Sequence, residues 1–188
     1  EAQDPGPPPP RPSDDSVAAG LRRVATFVRT RTLEQAPPGK RQQPAFVSTT
    51  ANQFPKPVKP GDMGLAAADA AYSMAPYLLG PDQALVVQAR WPRCRCANVD
   101  LWTRHMQTYD YANRRASLNR RQTRVDPDGS FRLVIAHRDP GVPNWVDTTG
   151  HPEGFMSPRW AYSETPPQEE WPSITARKVR FDAIREHL

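Results

Sequence analysis

Residues 114–160, RRASLNRRQTRVDPDGSFRLVIAHRDPGVPNWVDTTGHPEGFMSPRW, decide the fold class. Asp126-Pro127-Asp128-Gly129 is a turn sequence between two runs suited to extended backbone. The second run, Phe131 to His137, alternates side chains until Asp139-Pro140-Gly141 stops it. This pattern predicts a β-hairpin with strands over about 116–125 and 130–138. The loop beyond it carries Asn144, Trp145, Asp147, Thr148, His151 and Glu153, a polar set able to bind a ligand but matching no known catalytic signature.

Working outward, further strands are expected at Ala84 to Val87, Ala97 to Trp102, Gly154 to Tyr162 and Ala176 to Phe181. Six strands without regularly interleaved helices imply a mainly β chain, folded as an antiparallel β-sandwich or jelly roll over residues 81–188. Its expected core is Leu85, Val87, Val99, Leu101, Leu118, Phe131, Leu133, Ile135, Met156 and Trp160. Trp145 is expected to plug the open end of the sandwich.

The amino-terminal half reads differently. Residues 1–12 hold six prolines and no apolar side chain larger than alanine, which suits a proline-rich, polyproline-like arm. Ser13, Asp14 and Asp15 form a helix-start signal, and Val17, Leu21, Val24 and Val28 then recur on one face. An amphipathic helix is expected within 13–35, ending near Thr32 and packing its stripe on the parent domain. Residues 36–80 are a proline-punctuated connector in which Phe46, Val47 and Phe54 seek burial, so it should wrap another domain or subunit. Leu65 to Met74 is alanine-rich and reads as a short helix.

The chain has 188 residues, 37% of them apolar, with 23 prolines and a formal charge of +5. Nine arginines between Arg90 and Arg124 face only Asp100 and Asp110, a local balance of 9 − 2 = +7 that exceeds the surplus of the whole chain. Planar guanidinium groups suit paired recognition of an anionic ligand. The aromatic interleaving of single-strand readers and the helical motifs of duplex readers are both missing, so nucleic acid is not an expected partner. No run of about 18 apolar residues predicts a transmembrane segment. Cys94 and Cys96, if extended, lie about 6.5–7 Å apart along a strand, too far for an unstrained bridge. They are expected to be two small buried residues, which favours a reducing, cytoplasmic setting over a secreted one. The four histidines are scattered, so neither a metal nor another cofactor is expected.

The pieces AAYSMAPYLLGPDQALVVQARWPRC (70–94), YDYANRRASLNRRQ (109–122), DPDGSFRLVIAHRDPGVPNWVDTTGH (126–151) and SPRW (157–160) resemble a bacterial domain-of-unknown-function family. The resemblance covers roughly Leu21 to Tyr162. In that family this domain usually forms the carboxy-terminal β-sandwich of a two-domain chain. It implies that the present chain is a fragment, a processed product or a subunit completed by a partner, and it supplies no catalytic residues.

Two functions follow from the residues. The first is a binding and assembly module that packs on a second domain or subunit, within a homo- or hetero-oligomer. The second is a hydrolase or lyase acting on an anionic or carbohydrate-like substrate. In the enzyme, His137 or His151 would be the general base, oriented by Asp147 or Asp139. Arg115, Asn119, Asn144 and Trp145 would hold the ligand, with Arg115 as the anion clamp.

Overall fold

A computed structural model of the chain describes residues 6–7, 10–34, 43–60, 67–162 and 171–188. It separates into two units, residues 1–42 and 43–188. Most of the proline-rich arm (1–5 and 8–9), Gln35 at the end of the helix segment, 36–42 and 61–64 of the connector and Leu65–Ala66 of the expected short helix lie outside the described residues.

The first unit contains the helix α1, Asp14–Thr32. The Ser13 hydroxyl accepts a hydrogen bond from the Ser16 amide at 3.3 Å, so the cap that marks the start in the sequence also terminates the backbone ladder. Asp14 and Asp15 occupy the positive end of the helix dipole and Arg29 and Arg31 the negative end, the favourable sense at both termini.

The second unit is a sandwich-like pair of sheets, and nine strands lie among its described residues. They are β1 (Ala70–Tyr72), β2 (Ala75–Leu78), β3 (Gln83–Arg90), β4 (Cys96–Trp102), β5 (Ser117–Asn119), β6 (Ser130–Ala136), β7 (Trp145–Asp147), β8 (Glu153–Ala161) and β9 (Thr175–Arg180). One sheet runs β1-β8-β4-β5, with β2 also on β8; the other runs β7-β6-β3-β9. The expected mainly β, antiparallel sandwich is present: the strands pair antiparallel, with one parallel pair, β6 and β7, at an edge.

All ten residues proposed for the core are buried; nine form one cluster between the sheets, and Trp160 joins a second with Ala71, Ala97 and Tyr162. Leu85, Val87, Phe131, Leu133 and Ile135 from one sheet pack against Val99, Leu101, Leu118 and Met156 from the other. The near-continuous apolar runs of β3 and β6 have a further cause. Their outer-facing Ala84, Val86, Val134 and Ala136 are covered by Ile184 and Phe181 of a closing 3-10 helix, Phe181–His187, so this part of the sheet is buried on both faces.

The expected hairpin does not form. The Asp126–Gly129 turn is present, with the Gly129 amide donating to the Asp126 carbonyl at 2.8 Å and Gly129 at φ 83°. The strands on either side belong to different sheets, however, because β5 pairs with β4 and β6 pairs with β3. After three residues of β5, the amides of Gln122 and Thr123 both turn back to the Asn119 carbonyl at 3.1 Å and end the strand. The Asn144 carboxamide then holds Arg124 by both backbone groups, at 2.7 Å each, and delivers the chain to the second sheet.

Four other expectations change. Ala70–Tyr72, within the predicted helix over 65–74, is a strand paired with β8, since antiparallel partners on that edge outweigh the helix propensity of alanine. The described part of the connector, 43–60, wraps the sandwich itself: the Met74 amide donates to the Phe46 carbonyl at 2.6 Å, the Ser73 hydroxyl to the Pro55 carbonyl at 2.8 Å, and Phe54 packs on the core. Cys94 is half-buried and Cys96 exposed, both as free thiols, because Cys96 begins β4 on its outward side. Trp145 does not plug the open end. Strand alternation sends Val146 into the core and Trp145 to the opposite face, against Ala84 and Val134.

Gly154 lies where three elements converge, opposite Tyr77 in the β2–β8 ladder. A Cβ there would come within 2.7 Å of the Tyr109 hydroxyl and 2.8 Å of the Tyr77 ring, and would also strike the Trp102 carbonyl. Gly154→Ala is expected to cost about 3 kcal/mol through overpacking that backbone cannot relieve. A urea titration of the full chain checks this; an unchanged midpoint would contradict the packing described.

Candidate functional site

The three residues proposed for catalysis lie at one end of the sandwich, where β6, β7 and the turn into β8 meet. His137 follows β6. Its Nε2 faces the Leu79 carbonyl at 3.3 Å and its Nδ1 the Thr148 hydroxyl at 2.6 Å. A carbonyl can only accept, so Nε2 carries a proton, and in the neutral ring Nδ1 accepts from Thr148. Both ring nitrogens are thereby engaged with the protein. Asp147 closes β7 and is buried. Its Oδ1 accepts from the Thr149 amide at 2.7 Å and its Oδ2 pairs with Arg114 at 3.3 Å. The turn that follows is tight, with Thr149 at φ 52° and Gly150 at φ 82°, and the His151 amide donates to the Thr148 carbonyl at 3.0 Å. His151 is exposed, its ring stacked on Tyr109 with centroids 4.7 Å apart.

The structure therefore brings His137, Asp147 and His151 to one region without a hydrogen bond between any two of them. Each directs its polar atoms or its ring face at a neighbouring structural group. Asp139 accepts from the Gly141 amide at 2.8 Å and shapes the loop beyond β6.

The proposed ligand-binding residues are dispersed. Arg115 precedes β5 with an exposed side chain, while its carbonyl accepts from the Asp147 amide at 2.8 Å. Asn119 caps the turn after β5, its Oδ1 accepting from the amides of Arg121 at 2.9 Å and Gln122 at 3.1 Å. Asn144, at φ 58°, bonds the backbone of Arg124 and, at 2.9 Å, the carbonyl of Arg132. Trp145 donates from Nε1 to the Ala136 carbonyl at 3.2 Å. Cavities of about 600 and 570 Å³ lie instead on the outer face of the β3–β9 pair. Gln88 and Thr175 line both; Arg90, Trp91 and Trp171 belong to the first, Arg132 and Arg177 to the second. Of the seven proposed residues, Asn144 borders a smaller cavity of about 120 Å³.

A polar centre that sequence reasoning missed sits under this region. The hydroxyls of Tyr77 and Tyr109 are 2.5 Å apart in the interior, and Tyr77 Oη also reaches the His151 carbonyl at 3.4 Å. Burial raises both phenolic pKa values above the ordinary range. For Tyr77 the bond to Tyr109 and the charges of Asp147 and Glu153 push in the same direction. The alternation Ala75, Tyr77, Leu79 is the signal that could have found Tyr77, but it lies in a proline-flanked stretch read as connector. Among the described residues no three of the His, Cys, Asp and Glu side chains gather as they would around a metal ion, and no helix is long and apolar enough to cross a membrane.

Comparison with known proteins gives one informative likeness. An uncharacterized protein from Burkholderia cenocepacia, known from its crystal structure, is 26% identical over 93% of this chain, with a TM-score of 0.70. The chain spans about half of that protein's length, 47%. A Vibrio parahaemolyticus crystal structure matches at 19% identity and a TM-score of 0.49, over 64% of this chain and 33% of its own. No protein-family model matches, and no curated protein does. The neighbours are bacterial, and the Burkholderia protein is of unknown function, in keeping with the resemblance drawn from the sequence.

The tyrosine pair generates a pH dependence. Because the folded pKa of Tyr77 is raised, the unfolded chain releases its phenolic proton first, near pH 10. Stability from this group is fully present below that pH and declines as pH rises above it. Tyr162, pushed up to about 12 by burial, acts in the same sense. Alkaline denaturation followed by tyrosinate absorbance is expected to show ionisation accompanying unfolding, and Tyr77→Phe to flatten the decline. Free titration of all five tyrosines in the folded chain near pH 10 would refute it.

Proposed function

We propose that this chain is a binding and assembly module whose sandwich packs on a second domain or subunit through an arginine-rich edge that recognises an anionic surface. The observation that carries this reading is the division of labour among polar side chains. His137, Asp139, Asn144 and Asp147 satisfy backbone or neighbouring side chains, which is a structural use of their hydrogen-bonding capacity. Arg115, Arg121 and Arg124, exposed around the short strand β5, have no acidic partner among the described residues. A cluster of unpaired guanidinium groups on a rigid edge favours carboxylates or phosphates presented by another macromolecule.

The length relation supports the same reading. This chain spans 47% of the Burkholderia protein, so that protein holds material of comparable length outside the matched part, as a module packing on a second domain would require.

A photo-reactive amino acid placed at position 121 of the full chain, in cells of the native host, tests the proposal. Adducts are expected to converge on one polypeptide, and to fall at least about tenfold when Arg115 and Arg124 are both changed to Glu, since like charges across an interface repel. Adducts scattered over abundant proteins and insensitive to the charge reversal would overturn it. So would turnover of an anionic ester or glycoside that His151→Ala abolishes, because the enzyme reading would then take its place.

A further inference from the structure

We infer that helix α1 is a self-association element that pairs antiparallel with the same helix of a second copy of this chain. The inference goes beyond the function proposed for the sandwich, since it rests on the first unit alone.

None of the nineteen residues of α1 is buried. Val17, Leu21, Val24 and Val28 are 47%, 66%, 60% and 51% exposed, and they form one stripe about 17 Å long at a rise of 1.5 Å per residue. Their spacing of four, three and four is that of a coiled-coil seam. It is also palindromic. When the helix is laid against an inverted copy about a two-fold axis, Val17 stands level with Val28 and Leu21 with Val24, so the stripe is complementary to itself. A two-fold contact requires this of a single surface.

Charge selects the orientation. The same inversion sets Asp14, three residues before Val17, level with Arg31, three residues after Val28, so acid meets base at each end of the seam. It also opposes the two helix dipoles favourably. A parallel pair would place acid against acid and arginine against arginine. Arg22 and Arg23, which the inversion brings level with each other, point about 130° away from the centre of the stripe at 100° per residue, so they do not meet across the axis. The occupant that fits the spacing and the charge together is therefore a second α1.

The full chain, with Cys94 and Cys96 replaced by Ser, is the material for the test. Sedimentation equilibrium of the purified protein, up to about 100 μM, is expected to show an association to twice the 21.1 kDa chain mass. Leu21→Glu with Val24→Glu should return it to monomer while the cooperative melt of the sandwich stays in place. Mixed copies carrying Val17→Cys and Val28→Cys should form a mixed disulfide, and Val17→Cys alone should not cross-link to itself. Reversing both ends, with Asp14→Arg and Asp15→Arg joined to Arg29→Asp and Arg31→Asp, should restore a dimer that either half alone weakens. A chain that remains monomeric, a dimer indifferent to the Leu21/Val24 change, or ready self-cross-linking at position 17 would each overturn the inference. So would a monomer that binds phosphatidylglycerol vesicles through the same stripe. None of these outcomes bears on the adducts formed at position 121, so failure here is distinguishable from failure of the proposed function.

Discussion

Everything in the second unit depends on the apolar layer between β6 and its opposing sheet. Leu133 and Ile135 are completely buried, and they face Val99, Leu101 and Met156 across the layer. Large side chains at a two-residue period fix which face of each strand turns inward, and a one-residue slip would put all of them in water. That requirement sets the registers of β3, β4, β6 and β8 together. The polar end of the sandwich is a by-product of the same registers. Val146 must point inward, so Trp145 and Asp147 must point away from the core, one beneath the closing 3-10 helix and the other to Arg114.

The layer was legible because its residues are large and regularly spaced. Their partners were not, because pairing is a property of the whole chain. Asp-Pro-Asp-Gly specifies a tight turn but not that its flanks pair with each other; the bonds at Asn119 and Asn144 redirect the chain between sheets, and neither asparagine announces this in the sequence. The strands β1, β2 and β7 are three or four residues long and are held by their neighbours. Alanine and proline in β1 and β2 argue against strand on propensity alone, yet seven residues of β8 supply the partners that decide the matter.

The polar end shows the same limit. His137, Asp147 and His151 were recognisable as residue types that enzymes use, and the fold does gather them. Their roles depend on what they touch. Thr148, completely buried, and the Leu79 carbonyl complete the bonding of His137, and the Tyr77–Tyr109 pair lies between His151 and the interior. Such partners come from segments up to 74 residues apart, a separation over which spacing carries no information.

The edges of the two sheets are guarded in different ways against pairing with another chain. The β1–β2 edge is covered by residues 43–60 through the bridges Val47–Met74 and Val58–Tyr72, and β7 is tied to the Arg115 carbonyl. The remaining edges are β5, of only three residues, and β9, which exposes Arg177, Lys178 and Arg180. Short and cationic strands resist pairing with copies of themselves, because two such edges would set like charges about 5 Å apart. On the binding reading proposed above, the same charges would favour an acidic neighbour. The pairing proposed for α1 would use a different kind of surface, one whose charge changes sign along its length, acidic at its first turn and basic at its last.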